Sequence, residues 1–336
     1  MTILVTGGTG YIGSHTVVEL HKLGFDVVII DNLSNSNSLV LDRIEHVSGK
    51  RPLFVKADIR DLSALNNVFK QYDFESVIHF AGLKAVGESV SQPMQYYDNN
   101  VVGSLRLIEA MEKAKVKNFV FSSSATVYGS PERLPLDEEC KLQSTNPYGN
   151  NKLHIEQMLF DVCKSDPNWS VIALRYFNPI GAHESGMIGE DPRGIPNNLV
   201  PFISQVATGR LTELSIFGND YDTLDGTGVR DYIHVTDLAL GHVKALELFV
   251  EAVGFEAINL GTGNGYSVLE MIACFEKVNN ISIPYKICGR RPGDISSCYA
   301  KANKAFDKLG WKAKKNISEM LRDAWNWQSK NPTGYN

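Results

Sequence analysis

Along the first half of the chain the apolar positions gather into short unbroken runs. They are Ile3-Leu4-Val5, Val27-Val28-Ile29-Ile30, Leu53-Phe54-Val55, Ser76-Val77-Ile78-His79-Phe80, Phe119-Val120-Phe121 and Val171-Ile172-Ala173-Leu174. A strand with one face in water alternates apolar and polar residues, whereas a strand covered on both faces does not. These runs therefore predict buried strands. Between them stand stretches with helical spacing, over 12–23, 62–69, 101–111 and 148–162. Strand and helix alternating in this way predict βαβ units, hence a doubly wound α/β fold of Rossmann type, with a parallel sheet and helices on both faces.

The texture changes after Phe177. The stretch 178–198 holds four Gly, three Pro and several charges without sustained periodicity. Connections of that length usually belong to a binding site. Further helices are expected over 199–208, 236–250, 268–278 and 318–329. The chain thus divides into a nucleotide-binding domain, 1–177, and a smaller mixed α/β substrate domain, 178–336. No clean linker separates them, so the second is expected to be partly interleaved with the first and to close over the carboxyl edge of its sheet.

Composition narrows the functional classes. With 336 residues, 43% hydrophobic and 21% charged, the chain has the make-up of an ordinary globular protein, which excludes disordered, collagen-like and coiled-coil classes. Lys and Arg number 33 against 38 Asp and Glu, so there is no overall basic footprint for nucleic acid and any anionic ligand must be held by local donors. The five cysteines are odd in number, widely spaced and never in a C-x-x-C pair, which argues against a disulfide framework or thiolate zinc site and favours a reducing, cytoplasmic setting. The start of the chain lacks the basic and apolar regions of a signal peptide. No run approaches the roughly eighteen apolar residues of a membrane span. A soluble protein without membrane attachment is expected. The eight histidines show no metal-ligand spacing, so no metal is expected.

The first strand runs into Gly7-Gly8-Thr9-Gly10-Tyr11-Ile12-Gly13, and helical spacing begins there. In a G-x-x-G-x-x-G loop Gly7 permits the tight turn, Gly10 lets backbone approach a pyrophosphate, and Gly13 lets helix pack on strand. Asp31 stands at the end of the next strand, eighteen residues beyond Gly13. A carboxylate there accepts from ribose hydroxyls and repels a 2′-phosphate, which points to NAD rather than NADP. Later, Asn146-Pro147-Tyr148-Gly149-Asn150-Asn151-Lys152 places Tyr148 and Lys152 four apart at a helix start, on one face. An ammonium beside a phenol favours the phenolate and makes Tyr a usable general base. Such a pair can also be a solvated helix face. The strand end Ser122-Ser123-Ser124-Ala125-Thr126, carrying exposed hydroxyls, changes the balance, because a hydroxyl there can hold the same substrate oxygen.

These three features together resemble the extended short-chain dehydrogenase/reductase family. Phe80-Ala81-Gly82-Leu83-Lys84-Ala85-Val86, Tyr96-Tyr97-Asp98-Asn99-Asn100, Ser124-Ala125-Thr126-Val127-Tyr128-Gly129, Arg175-Tyr176-Phe177-Asn178-Pro179 and Gly228-Val229-Arg230-Asp231-Tyr232-Ile233-His234-Val235 resemble its UDP-glucose (UDP-galactose) 4-epimerase subgroup over essentially the whole chain. The resemblance implies an NAD-containing isomerase that interconverts UDP-hexoses at C4, with Tyr148, Lys152 and Ser124 as catalytic residues. It implies cofactor contacts from Gly7, Gly10, Tyr11, Ile12, Gly13, Asp31, Asn32, Asn35, Ser36, Asp58, Ile59, Phe80, Ala81, Gly82, Lys84, Asn99, Tyr148, Lys152 and Phe177. Asp58 is expected to receive the adenine amino group. For the UDP-sugar it implies Lys84, Ser124, Tyr148, Asn178, Asn198, Leu199, Phe217, Arg230, Arg291, Asp294 and Cys298. A homodimer packed through helices near 101–111 and 148–162 is implied as well.

Cys298 stands where sugar-specific bacterial epimerases typically carry a Tyr, with Tyr299 one residue on as the other occupant of that position. A Cys there frees the space of a phenol ring, which predicts that N-acetylated UDP-hexoses are accepted too. Two rivals are weighed. A 4,6-dehydratase of sugar nucleotides needs an Asp-Glu pair after the strand-end Thr, and here Ser124-Ala125-Thr126 brings no carboxylate. A non-catalytic NAD-sensing regulator typically lacks the Tyr or the Lys, and both are present.

Overall fold

Ile3, Leu4 and Val5 are all essentially inaccessible to solvent, yet successive side chains of a strand point to opposite faces. Ile3 and Val5 join one core with Val17 and Leu20, while Leu4 joins another with Leu65 and Leu107. Two cores, one on each face of a single sheet, are why the strands read as unbroken apolar runs. The computed structural model describes residues 1–191, 196, 198–250, 254–291 and 293–335. Of the 178–198 loop, residues 192–195 and 197 lie outside the described residues, as does Pro292 of the arginine segment 290–294.

The six predicted strands are present as β1 (Thr2–Thr6), β2 (Asp26–Asp31), β3 (Leu53–Lys56), β4 (Ser76–His79), β5 (Asn118–Ser122) and β6 (Ser170–Tyr176). They pair in parallel in the order β3-β2-β1-β4-β5-β6. A seventh strand, Gly254–Leu260, pairs in parallel with β6 at the sheet edge, so the second half of the chain returns to complete the first. Its sequence, Gly-Phe-Glu-Ala-Ile-Asn-Leu, lacks a long apolar run because its first four residues are only partly buried. Sequence reading also passes over the helix Val40–Ser48, which buries Val40, Leu41 and Ile44 behind a polar loop.

The predicted helix over 236–250 is an α-helix only at Val235–Ala245 and tightens to a 3-10 turn at Leu246–Val250. Another stretch departs from the simple pattern. Tyr97–Val102 is a π-helical turn leading into the helix Gly103–Ala114, and it carries Asn99 and Asn100. Such turns cost regular hydrogen bonding and are commonest at functional sites.

The remaining part holds a four-stranded sheet of Asn178–Ile180, Val229–His234, Gly265–Ser267 and Ser297–Cys298, and a two-stranded pair of Leu214–Phe217 with Tyr285–Cys288. Its core, with Ile203, Ile216, Phe275 and Leu321, is separate from the two around the large sheet. In doubly wound sheets ligands sit at the carboxyl ends of the strands where the order reverses. Here that is the β1/β4 junction.

Candidate active site

At that junction Gly7 adopts φ +69°, and a Cβ on it would lie 2.6 Å from the backbone nitrogen of Ala81 after β4. A Cβ on Gly13 would collide with the Gly7 carbonyl. The loop therefore fits its place only as glycine. The first helix, Tyr11–Lys22, starts directly after it, and its N-cap Gly10 contributes no side-chain bond to the leading N–H groups. Those donors face the cleft, the arrangement that takes a pyrophosphate. Asp31 closes the adenosine end, where its carboxylate accepts from Thr9 N (3.2 Å), Leu33 N (2.9 Å) and Ser36 Oγ (3.1 Å). A carboxylate has about four acceptor positions, so room for a ribose hydroxyl remains.

One cleft is lined by most of the residues expected to meet the cofactor: Gly7, Gly10, Tyr11, Ile12, Gly13, Asp31, Asn32, Asn35, Ser36, Ile59, Phe80, Ala81, Gly82, Lys84, Asn99, Tyr148 and Lys152. Two expected residues stand back from it. Asp58 receives Arg60 through its backbone N (2.9 Å), Nε (2.9 Å) and a terminal nitrogen (2.8 Å), and Asn32 Nδ2 at 3.0 Å, so its acceptor positions are filled by the protein. Phe177 is buried in a small cluster with Ala125, Val127, Tyr128 and Ala300. Residues to which sequence reasoning assigned no cofactor contact also line the cleft: Ser122 and Tyr176, which it met only within longer motifs, and Glu190 and Tyr335. Glu190 and Tyr335 carry no local signature.

The Tyr148 helix, Pro147–Ser165, begins sharply. Pro147 occupies the first turn and the Asn146 side chain accepts from Gly149 N at 2.9 Å, a cap that fixes the phase of the face bearing Tyr148 and Lys152. Asn151, to which the sequence assigned nothing, takes part too: its Oδ1 accepts from Asn100 Nδ2 (3.3 Å), tying this helix to the π-helical turn. The three serines at the end of β5 diverge. Their hydroxyls are not exposed as expected but buried: Ser122 Oγ bonds Tyr176 OH (2.8 Å), Ser123 Oγ donates to Glu156 Oε1 (2.5 Å), and Ser124 is left beside Tyr148.

Lys152 Nζ donates to the Ser122 carbonyl at 2.7 Å and lies 5.9 Å from the centre of the Tyr148 ring. Burial lowers its ammonium to about 8, with the Glu156 carboxylate one turn on acting against that. Burial also raises the Tyr148 phenol well above its ordinary value; Tyr176 adds to the rise, and the Ser124 hydroxyl opposes it. This corrects the expectation from spacing. Burial, the largest influence on both groups, favours the neutral phenol, so the helix spacing of Tyr148 and Lys152 does not by itself bring the phenol toward neutrality.

Beyond this centre the expected substrate residues gather on the second domain. Arg291 stacks over Phe217 with its guanidinium carbon 4.8 Å from the ring centre, and its Nε bonds Asp294 at 3.0 Å. Arg290, which sequence reasoning did not assign, stacks over Tyr221 at 4.2 Å, and the Tyr221 phenol senses Asp294, Arg290, Arg230 and Arg291 together. Asn178 lies beside Tyr232 in the four-stranded sheet. Asn198 caps the helix Leu199–Ala207, and its amide donates to Glu190 at 3.2 Å. Cys298 pairs in register with Arg230 and packs, half-buried, against the Ala125 and Phe177 cluster. Tyr299 points elsewhere, with its ring against Gly265. Extended backbone turns neighbouring side chains to opposite faces, so Cys298 faces the Ala125 and Phe177 cluster while Tyr299 faces away from it.

Among the described residues no group of three or more His, Cys, Asp or Glu side chains could hold a metal ion. No described helix is long and apolar enough to cross a membrane. A family model described as GDP-mannose 4,6 dehydratase matches residues 4–324. UDP-glucose 4-epimerase of Pasteurella multocida (strain Pm70) is 59% identical over 336 residues, covering 100% of this chain and 99% of that protein. The Bacillus subtilis (strain 168) enzyme of the same name is also 59% identical, with 100% and 99% covered. The chain belongs to the UDP-glucose 4-epimerase family. A crystal structure of the family member from Bifidobacterium longum, in complex with NAD+ and UDP, superposes with a TM-score of 0.97 at 53% identity, covering 99% of this chain and 100% of that one. The family's extended short-chain dehydrogenase/reductase architecture is the one seen here, down to the switch-point cleft.

Proposed function

We propose that this chain interconverts UDP-glucose and UDP-galactose through a 4-keto sugar, with NAD held throughout the cycle. The observation that carries this reading is the meeting of Tyr148 and Lys152 in the wall of the cleft that begins at the glycine loop, with the Ser124 hydroxyl bonded to the Tyr148 phenol. Bound NAD supplies a hydride acceptor and donor and, in its oxidised form, a positive ring near the phenol. The chain does the rest. Tyr148 takes the proton of the sugar 4-hydroxyl, Ser124 holds that oxygen, and Lys152, kept in place by the Ser122 carbonyl, holds positive charge beside the phenol. Arg230 and Arg291 anchor the diphosphate, with Phe217 against the uracil, Asp294 at the uridine ribose and Asn178, Asn198 and Leu199 completing the nucleotide site. A firmly held diphosphate leaves the sugar free to turn over and present its other face.

Dehydration fits less well although the matching family model bears a dehydratase's description. The turn Ala125–Tyr128 after Ser124 offers hydroxyls and no carboxylate to carry the proton of an elimination. Incubation with UDP-galactose, without added NAD, separates the readings. UDP-glucose is the expected product; a 4-keto-6-deoxy sugar supports the dehydratase, and no turnover favours an NAD sensor.

The position of Cys298 supports a wider sugar range that includes UDP-N-acetylglucosamine and UDP-N-acetylgalactosamine. Its small, half-buried side chain packs against the cluster of Ala125, the residue after Ser124, and takes up far less volume than a phenol ring would there. Cys298→Tyr should cut turnover of the N-acetylated pair by about 100-fold while the glucose and galactose pair changes by only a few fold, as a steric clash of several atoms in a packed site implies. Equal N-acetyl activity in both proteins would sink the idea. The exposed Leu105 and Phe160, on the two helices expected to pair, support a homodimer, for which light scattering should give about twice the 37.2 kDa chain mass. The division into domains at Phe177 and a cytoplasmic setting are part of the same proposal.

A further inference from the structure

Tyr335 lies far from every motif, yet it lines the same cleft as Asp31 and Gly10. It is 7% exposed and touches both walls. On one side its backbone carbonyl accepts from Asn37 Nδ2 at 3.2 Å, and Asn37 belongs to the loop that follows β2 and Asp31. On the other its hydroxyl donates to the Gly189 carbonyl and accepts from the Gly189 N–H, each at 3.2 Å, while its own N–H donates to Asp191 at 3.0 Å. The ring rests on Trp327 at 4.7 Å between centres, and Trp327 Nε1 donates to the Glu190 carbonyl at 3.2 Å. The preceding Gly334 has φ +89°, and a Cβ on it would collide with the Asp191 carboxylate, so the turn that delivers Tyr335 is built for this approach.

We propose that Tyr335 is the clasp that makes the dinucleotide non-dissociating: it bridges the 31–37 loop and the 189–191 loop across the adenosine end of the cleft, so that release requires breaking these bonds. The proposal rests on the reading of the cleft as an NAD site. It also assigns a reason for the clasp. An enzyme that ends each cycle with its cofactor restored gains nothing from cofactor exchange, whereas escape of the reduced form would strand the keto sugar. Glu190, between the clasped residues, accepts from both Lys84 Nζ (2.8 Å) and Asn198 Nδ2 (3.2 Å), so the clasped wall also reaches the UDP-sugar side.

The test is the rate at which purified protein releases its nucleotide. Holoprotein is diluted, and nicotinamide nucleotide in the ultrafiltrate is followed over time, with melting temperature in saturating NAD as the control for folding. Tyr335→Phe loses the two Gly189 bonds and should release NAD about 10-fold faster than the natural protein. Tyr335→Ala loses the ring packing as well and should release it about 100-fold faster. Unchanged release from a folded Tyr335→Phe or Tyr335→Ala protein overturns the clasp. Natural protein that carries no nicotinamide nucleotide after purification, and takes up none, overturns the NAD reading itself and the clasp with it.

Discussion

Tyr148→Phe should lower kcat by about 1000-fold, within the 10²–10⁴ range typical of lost general acid–base catalysis, while leaving the protein folded and its nucleotide bound. The phenyl ring is buried in the wall of the cleft, and the substitution keeps that packing. What it removes is the one ionisable hydroxyl beside Ser124. Neither neighbour can take over. Lys152 is committed to the Ser122 carbonyl, and Ser124 is an alcohol whose oxygen already accepts from Thr126 N (3.2 Å) and Thr126 Oγ1 (3.0 Å). KM for the UDP-sugar should move little, because the arginine cluster proposed to anchor the diphosphate is untouched. Steady-state kinetics with both UDP-glucose and UDP-galactose give the answer. A loss smaller than about tenfold would transfer the proton to Tyr176, another phenol lining the cleft and the one whose charge bears on Tyr148.

The second large effect concerns stability in acid. His15, His79 and His242 are almost completely buried, and burial lowers their imidazoles to about 3, about 3 and about 4. His79 is held neutral between the Thr6 and Ser104 hydroxyls, at 2.6 and 2.9 Å, directly under the start of the glycine loop. Above pH 6.5 these groups are neutral whether the chain is folded or not. As pH falls below 6.5 the unfolded chain binds protons at them and the folded chain does not, so stability drops until the folded groups titrate near 3 to 4. Three such groups amount to about 4 kcal/mol per pH unit. Asp231 works the other way, since burial raises its carboxyl, but it is a single group. Against a total stability of about 5–15 kcal/mol the folded state should be lost by about pH 4. Thermal unfolding at pH 7.5 and pH 5.0 should differ by about 10 °C, with the lower value at pH 5.0. His242→Phe should lessen the difference, because a phenyl ring takes up no proton in the unfolded chain; the bond given up is the one from Nδ1 to the Leu238 carbonyl at 2.9 Å. Equal melting temperatures at the two pH values would mean that these imidazoles accept protons in place.

Much of the molecule is legible before any coordinate is known. Six strands of the large sheet, their parallel arrangement and the glycine loop follow from apolar runs such as Val27-Val28-Ile29-Ile30, because a strand buried on both faces has no polar positions to interrupt it. The Tyr148 helix is equally plain, since Asn146-Pro147 is a start signal whatever surrounds it. The strand Gly254–Leu260 is not, because at a sheet edge burial is partial and the sequence carries Glu256 and Asn259. The same reasoning separates the site residues. Gly7, Gly13 and Asp31 announce themselves through spacing within one βαβ unit. Glu190 and Tyr335 carry no pattern.

By itself, then, the sequence determined which segments become strands and helices, where the pyrophosphate would sit and which phenol and ammonium share a helix face. Tertiary structure decided everything that depends on distant segments meeting. It turned Ser124, and not Ser122 or Ser123, toward Tyr148; it buried Tyr148 and Lys152 so deeply that desolvation is the largest influence on each; and it brought Tyr335 across 298 positions of chain to Asn37. The division has a physical cause. Backbone periodicity is a local property written in neighbouring residues, whereas burial, dielectric and cross-cleft bonds arise only when strand order and loop paths place remote side chains in one volume.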